Sequence, residues 1–183
     1  DKEALKRGTS VYFPGRVVPM LPEELSNDMC SLVPQEDRLT LTVQMDVDEK
    51  GKVMDSEIYE SVINSNHRLI YDDVSDFLES GEEAKDEKEK ALKLMEELGL
   101  ILKKMRLDRG AIDFGFVETE IEVDEDGWPI RIFKRDRRIA NRLIEEFMIL
   151  ANETVSETYY WLEIPFLYRT HEKPSEEKMS EFS

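Results

Sequence analysis

Hydrophobic and polar residues alternate with a period of two in two separate stretches of the chain. Residues 39–47 and 53–63 flank a turn at 48–51 (DEKG), and residues 117–123 precede a second turn at 124–127 (DEDG). A period of two places neighbouring side chains on opposite faces of a strand, and glycine closes tight turns. The pattern therefore predicts two antiparallel hairpins. In the second hairpin one face carries acidic residues, and we expect that face to meet solvent.

A helical period appears in three further segments. Residues 71–78 predict a short helix, and residues 137–162 predict a long one that the following proline stops. Between them, hydrophobic residues recur every three or four positions and predict another long helix with one apolar stripe, formed by Ala91, Met95, Leu98, Leu102 and Met105. Ser80 and Glu83 have the spacing of a capping box and predict where this helix begins, and Gly110 suits its end.

The remaining segments are shorter or less regular. Residues 1–8 predict a short helix or turn that ends at a glycine, residues 11–13 predict a brief strand, and residues 166–169 predict a final strand. Proline occurs four times between positions 14 and 34, which predicts a backbone there that is neither regular helix nor regular sheet.

The domain organisation follows from length and composition. The chain has 183 residues, of which 40% are hydrophobic, enough for the core of one large domain. Because no linker rich in Gly, Pro and Ser divides it, we expect one α+β domain over residues 1–176 and a frayed acidic tail at 177–183. Its mixed or antiparallel sheet would consist of hairpins packed against the long helices.

Acidic residues dominate the charge of the chain. Forty-two Asp and Glu stand against 25 Lys and Arg, for a formal net charge of −17. Nucleic-acid affinity comes largely from Lys and Arg that neutralise phosphates, so this composition argues against autonomous RNA binding. No apolar run reaches the roughly 20 residues of a membrane span, and we expect no membrane association.

Few residues suit a metal site or a nucleophile. The single cysteine, Cys30, excludes an intramolecular disulfide, fits a reducing cytoplasm, and has apolar neighbours that predict a small buried thiol. His67 and His171 are far apart and have no companions at ligand spacing. Three acids cluster at the start of the predicted short helix, where the helix dipole explains them better than a metal does: Asp72, Asp73 and Asp76.

Two segments carry residues that packing alone does not explain. The predicted helix at 137–162 places four polar residues among apolar neighbours: Asn141, Arg142, Glu145 and Asn152. The second segment, residues 7–32, reads RGTSVYFPGRVVPMLPEELSNDMCSL. Together the two segments resemble the RNB catalytic domain of the RNase II and RNase R exoribonucleases, with bacterial RNase R the closer likeness. The resemblance extends over residues 1–176, as the central part of that domain.

The resemblance implies a processive, cytoplasmic 3′→5′ exoribonuclease that hydrolyses RNA to 5′-mononucleotides with Mg²⁺. In this family an Asp-rich signature holds the metal and precedes the segment matched by residues 7–13, and an Arg-bearing motif follows farther downstream. Neither motif occurs in the 183 residues. We therefore assign no catalytic residue and no metal ligand here, expect Mg²⁺ only in the intact enzyme, and expect this segment alone to be inactive.

Four residues match positions that hold the RNA 3′ end in the family. Tyr12 matches an aromatic against the 3′-terminal RNA, and Tyr71 matches a tyrosine near the terminal nucleotide that helps favour RNA over DNA. Phe114 matches the aromatic that closes the stack of bases, and Glu145 matches a glutamate that contacts the terminal nucleotide. Aromatic faces stack on any base, at about 1–3 kcal/mol per base. A carboxylate can accept a hydrogen bond from a ribose hydroxyl, which distinguishes RNA from DNA.

Each of these residues has a simpler interpretation that does not involve RNA. Tyr12 and Phe114 could be core aromatics, and Phe116 is a second aromatic close to Phe114. Tyr71 could begin a helix with its hydroxyl in water. Glu145 could pair with Asn141 or Arg142 on a solvated helix face.

Two other hypotheses about function are compatible with the sequence. The chain could be a non-catalytic acidic interaction domain that retains the RNB scaffold. Its unpaired strands and exposed apolar surface could also cause self-association.

Overall fold

The computed structural model describes residues 2–113, 118–170 and 175–182. Helices and strands follow one another along the chain in this order: α1 (Lys2–Arg7), β1 (Val11–Phe13), β2 (Arg16–Val18), a π-helical turn (Glu24–Met29), β3 (Asp37–Val47), β4 (Val53–Asn64), α2 (Tyr71–Ser80), α3 (Glu87–Asp108), β5 (Glu118–Val123), β6 (Pro129–Arg135), α4 (Ile139–Trp161) and α5 (Glu176–Phe182). The predicted α+β class is confirmed.

The strands of the described part form three separate antiparallel hairpins: β1–β2, β3–β4 and β5–β6. The longest hairpin, β3–β4, is in register from Asp37↔Asn64 to Val47↔Val53, with an irregularity next to its turn. Both hairpins predicted from the period of two are present. The predicted antiparallel pairing is confirmed, and in the described residues each hairpin is a separate two-stranded sheet.

The core lies among the three helices α2, α3 and α4. Leu78, Leu92 and Leu143, one from each helix, form its buried cluster. Gly99 of α3 lies directly against Leu143 of α4, and a Cβ added there would be in ordinary van der Waals contact with Cγ of Leu143, at 3.4 Å. Burial of aliphatic side chains at this junction is the main force that holds the helices together.

Polar contacts then set how α2 and α4 meet. Arg138, the residue before α4, contacts Asp76 at 2.6 Å and Glu79 at 2.7 Å, both on α2. Ser75 is fully buried, and its Oγ accepts a hydrogen bond of 3.3 Å from the backbone N–H of Ala140. The side chain of Arg138 does not cap α4, so a serine from another helix accepts a hydrogen bond from one of the free backbone N–H groups in the first turn of α4.

The predicted start of α3 is wrong. The helix begins at Glu87, and its cap is Asp86, whose side chain accepts a 2.7 Å hydrogen bond from the backbone N–H of Glu89. Ser80 instead ends α2 and donates to the carbonyl of Phe77. This acidic stretch contains two capping patterns, Ser80–Glu83 and Asp86–Glu89. The helix starts at the second pattern, and its apolar face is buried against α4.

The predicted stripe of α3 is largely on its buried side, because Leu102 is buried and Met95, Leu98 and Met105 are half-buried. Ala91 is exposed, however, and the stripe did not include Leu92 and Gly99, which are buried. The prediction counted hydrophobic side chains only, and it overlooked a glycine that is buried because another helix lies against it.

The proline-rich segment is more regular than its composition suggested. It contains β2, which pairs with β1 across a turn at Gly15, and the π-helical turn Glu24–Met29. Proline restricts the backbone conformation of its own residue and of the residue before it, so short helices and strands can still form between prolines. Cys30 follows the π-helical turn and is exposed, which corrects the prediction of a buried thiol.

The acidic face of the β5–β6 hairpin is exposed as predicted, and its apolar side is exposed too, with Ile130 and Ile132 both about two-thirds accessible at 64% and 66%. Two further expectations differ from the structure. Residues 166–169 form no strand, and Glu176–Phe182 is a short helix where a frayed tail was expected. Phe166 stacks on Tyr159 of α4, with 4.9 Å between the ring centroids, so this segment packs through a side chain without forming a strand.

Candidate functional site

A pocket of about 390 Å³ opens between the start of α2, the end of β6 and one face of α4. We call it the Tyr71 pocket. The residues that give it chemical character are Tyr71, Arg137, Asn141, Glu145, Met148 and Asn152. It joins Tyr71 and Glu145, two of the four predicted RNA-binding residues, which are far apart in the sequence.

The α4 side of the pocket follows from helical spacing. Asn141, Glu145, Met148 and Asn152 are separated by four, three and four positions, and such residues share one face of a helix. Three of the four polar residues that the sequence left unexplained therefore line one pocket. Arg142 lies on a different face and lines a separate cavity between α3 and α4.

Tyr71 is the first residue of α2 and is 44% accessible. Its position agrees with the simpler interpretation of a residue that begins a helix, yet it also lines the pocket together with residues of α4. The side chain of Glu145 is 40% accessible, so it can reach both protein and solvent partners.

Arg137, to which the sequence analysis gave no role, forms ion pairs with two carboxylates at this pocket. Nη2 of Arg137 lies 2.6 Å from Oε2 of Glu145, and Nη1 lies 3.3 Å from Oδ1 of Asp113. Lys103 of α3 lies 3.4 Å from the other oxygen of Asp113. Glu145 therefore pairs with Arg137, whereas the sequence had suggested Asn141 or Arg142.

The surroundings of Asp113 favour the ionised form of its carboxyl group. Burial raises the pKa of Asp113, but the hydrogen bond from Lys103 and the positive charge of Arg137 outweigh burial and lower the pKa below its usual value. The signal for these contacts was weak in the sequence, because Lys103, Asp113 and Arg137 lie in three different segments.

Of the other two predicted RNA-binding residues, the structure places only Tyr12. Tyr12 lies on β1 with 77% of its surface accessible, which excludes a core role but places it outside the Tyr71 pocket. Phe114 lies outside the described residues, as does its possible substitute Phe116.

The described residues do not fit a Mg²⁺ ion. Among residues 2–113, 118–170 and 175–182, no group of three or more His, Cys, Asp or Glu could hold a metal. The acids at the start of α2 point elsewhere, since Asp72 and Asp76 contact the guanidinium of Arg138. In the described part of the chain, no helix has the length and hydrophobicity needed to cross a lipid bilayer.

Comparison with known proteins gives the family. The RNB domain family model matches residues 1–183, so the chain belongs to the RNB domain family. The chain is 47% identical to Ribonuclease R 1 of Lactococcus lactis subsp. lactis over 185 residues, which cover 100% of this chain and 23% of that protein. The chain spans about a quarter of the length of that relative.

Solved structures agree with this assignment. Mycoplasma genitalium RNase R in complex with ribose methylated single-stranded RNA superposes with a TM-score of 0.90 at 37% identity, over 98% of this chain and 28% of that chain. The same organism's RNase R in complex with double-stranded RNA gives a TM-score of 0.91 at 36% identity, over 99% of this chain and 33% of that chain. The predicted resemblance is confirmed.

Proposed function

We propose that this chain holds the 3′ end of single-stranded RNA in a processive 3′→5′ exoribonuclease that releases 5′-mononucleotides. The observation that carries the proposal is that Tyr71 and Glu145 line the same pocket of about 390 Å³. That volume lies in the range of small-ligand sites, roughly 300–1,000 Å³. RNase R structures of similar fold have been solved with RNA bound, which supports an RNA ligand.

Each wall of the pocket has a chemical task in this proposal. The ring of Tyr71 offers a face on which a base or ribose can pack, and the carboxylate of Glu145 accepts a hydrogen bond from a ribose hydroxyl. Tyr12, with its ring exposed on β1, would stack on RNA outside the pocket. Phe114 would close the stack, a role that rests on the family resemblance.

The acidic net charge affects the expected affinity for RNA and its dependence on salt. With a net charge of −17, the chain gains little from neutralising phosphates, so stacking and hydrogen bonds must supply the affinity. We therefore expect weak RNA binding with a shallow dependence on salt, and we expect the steep electrostatic component to come from other parts of the full-length protein.

Magnesium belongs to the parent enzyme in this proposal, and we derive no step through it from these residues. When bound, the ion would neutralise the scissile phosphate and activate water. The 183-residue chain by itself should not degrade RNA when Mg²⁺ is added. Mononucleotide release by the purified chain would overturn that expectation, whereas the full-length protein should release mononucleotides.

The binding role is tested on the full-length protein with a chelator present, so that no hydrolysis occurs. The probes are two labelled single-stranded oligoribonucleotides, one all-ribose and one whose last two nucleotides lack the 2′-hydroxyl. We expect the wild-type protein to prefer the all-ribose probe. Glu145→Gln and Tyr71→Ala should reduce the preference by roughly 3- to 10-fold, the effect of one lost hydrogen bond or contact.

A matched control is Glu153→Gln, which removes another α4 carboxylate that pairs with an arginine, Arg109, two turns from Glu145. This control should leave the preference unchanged. Equal binding of both probes by the wild-type protein would contradict the proposed role. If the full-length protein also lacked turnover, a non-catalytic interaction domain would become the better description.

Self-association and a cytoplasmic location remain part of the proposal. Leu39 and Val62 are opposite each other on the β3–β4 hairpin and are 87% and 60% accessible, and the hairpin has unpaired edges in the described chain. The isolated chain should therefore associate as its concentration rises, which sedimentation velocity can measure. A constant monomer would remove this idea, and fractionation of the source cells tests the location.

A further inference from the structure

We propose that Arg137 is a positioning residue that holds the Glu145 carboxylate in the orientation that recognises ribose. This inference rests on the proposed function of the Tyr71 pocket and adds a residue to which the family resemblance assigned no role. Arg137 acts through Glu145 and need not touch the RNA.

The geometry gives the two oxygens of Glu145 different tasks. Oε2 lies 2.6 Å from Nη2 of Arg137, a short, charge-assisted contact. Within the described chain, Oε1 has no comparable partner, and the side chain is 40% accessible and lines the pocket. A carboxylate fixed through one oxygen presents the other as an acceptor in a constant direction, which a ribose hydroxyl can meet.

Arg137 is itself held in place. Its Nη1 contacts Asp113 at 3.3 Å, and Asp113 contacts Lys103 of α3 at 3.4 Å. The four side chains form a line of alternating charge from α3 through Asp113 to α4. Between 27% and 40% of each side chain is accessible, so the line is partly shielded from water. A free glutamate loses rotamer entropy when it binds a ligand, and this arrangement removes that loss beforehand.

A buried donor supports a functional reason for Arg137. Its Nε is buried and has no hydrogen-bond partner within the described residues. A buried donor without a partner destabilises a fold, and a partly exposed ion pair contributes little stability in return. Stability alone therefore does not account for an arginine here, whereas the contact with Glu145 does.

The test compares four forms of the full-length protein with the two probes and the chelator described above. They are the wild type, Arg137→Met, Glu145→Gln and the double variant. Met keeps the apolar stem of arginine and removes its charge and donors. We expect Arg137→Met to lower the preference for ribose by roughly 3- to 10-fold. In the Glu145→Gln background the same substitution should have no further effect, because Arg137 acts through that carboxylate.

Two further variants separate positioning from general damage. Arg137→Lys keeps the charge and can reach Glu145, so it should restore part of the preference. Arg109→Met removes the similar Arg109–Glu153 pair between α3 and α4 and should change nothing. A urea denaturation curve for each variant establishes that it is folded at the assay temperature.

The outcomes distinguish this inference from the proposed function. If the wild type prefers the all-ribose probe and Arg137→Met keeps that preference, the positioning role is wrong and the proposed function stands. If Arg137→Met lowers the preference equally with and without Glu145, Arg137 contacts the RNA directly and the inference is also overturned. If the wild type shows no preference, the proposed function itself fails.

Discussion

Arg106 of α3 and Glu146 of α4 form an almost enclosed ion pair. Nη2 of Arg106 lies 2.6 Å from Oε1 of Glu146, and Nε lies 3.0 Å from Oε2. The side chains are 16% and 4% accessible. The hydrogen bond to Glu146 raises the pKa of Arg106 further above its already high value. Glu146 directly follows Glu145, so one helical step separates a carboxylate used for packing from one that faces the pocket.

Removal of one partner of this pair should destabilise the fold strongly. Glu146→Ala leaves the guanidinium of Arg106 partly buried without its counter-charge, and we expect the free energy of unfolding to fall by about 3–5 kcal/mol. Urea denaturation followed by circular dichroism measures this change. The double variant Arg106→Met with Glu146→Leu should recover most of it, because apolar side chains of similar volume can replace a buried pair. A loss as large in the double variant would contradict this explanation.

Ser75 should be important for stability although it lies on α2 and caps another helix. Ser75→Ala leaves the backbone N–H of Ala140 without its acceptor in a buried position. We expect a loss of about 1–2 kcal/mol in the free energy of unfolding, similar to the loss of a helix cap. Ser80→Ala is the control, because the hydrogen bonds of Ser80 are exposed at the end of α2 and their loss should cost less. A Ser75→Ala protein as stable as the wild type would show that the contact with Ala140 stabilises nothing.

The Lys103–Asp113–Arg137 contacts should give an acid-dependent contribution to stability. The pKa of Asp113 is lowered from 3.8 in the folded protein. A carboxylate with a lowered folded pKa contributes stability that is complete above its unfolded pKa and is lost as the pH falls through the folded pKa. The difference in unfolding free energy between wild type and Asp113→Asn should thus stay constant above about pH 5 and shrink below about pH 4.

The expected size of this difference at neutral pH is at most about 1 kcal/mol, because the three side chains are partly exposed. Urea denaturation of both proteins at a series of pH values measures it. A difference that does not change between neutral pH and pH values below about 4 would contradict the assigned direction.

Two glycines with similar backbone conformations allow a test of packing at the β3–β4 turn. Gly51 has φ of 83° and Gly81 has φ of 72°, values that side-chain-bearing residues rarely adopt. A Cβ at Gly51 would lie 3.2 Å from Cγ2 of Ile101, whereas a Cβ at Gly81 would meet nothing within 4 Å. Gly81→Ala should lower the free energy of unfolding by about 1–2 kcal/mol.

Gly51→Ala has the same backbone strain and also crowds α3, so we expect a loss larger by about 1 kcal/mol or more. Thermal denaturation of the two variants gives the comparison. Equal losses would mean that Ile101 moves aside without cost and that the hairpin packs loosely on α3.

Local sequence patterns predicted most of the elements correctly. The alternation at 39–47 and the turn at 48–51 are sufficient for the β3–β4 hairpin, because strand pairing across a short turn depends on neighbouring residues. The start of α3 was misplaced because Ser80–Glu83 and Asp86–Glu89 both resemble caps. Only burial against α4 distinguishes the two, and burial depends on residues far away in the sequence.

The candidate site was only partly predictable. Helical spacing alone is enough to place Asn141, Glu145 and Asn152 on one face of α4. The residue across from that face, Tyr71, was predicted from the family resemblance and not from spacing. Arg137 was missed, because its partners Asp113 and Glu145 belong to segments that meet only after the helices pack.

The sequence by itself determined the α+β class, the hairpins, the long helices and the membership of the RNB family, since these follow from short-range periodicity and from motifs read in order. The tertiary structure decided which helix faces are buried, that the hairpins remain separate, and which charges meet around Glu145. Those outcomes depend on the burial of apolar surface shared by α2, α3 and α4. That burial brings distant residues together and leaves a polar pocket beside the core.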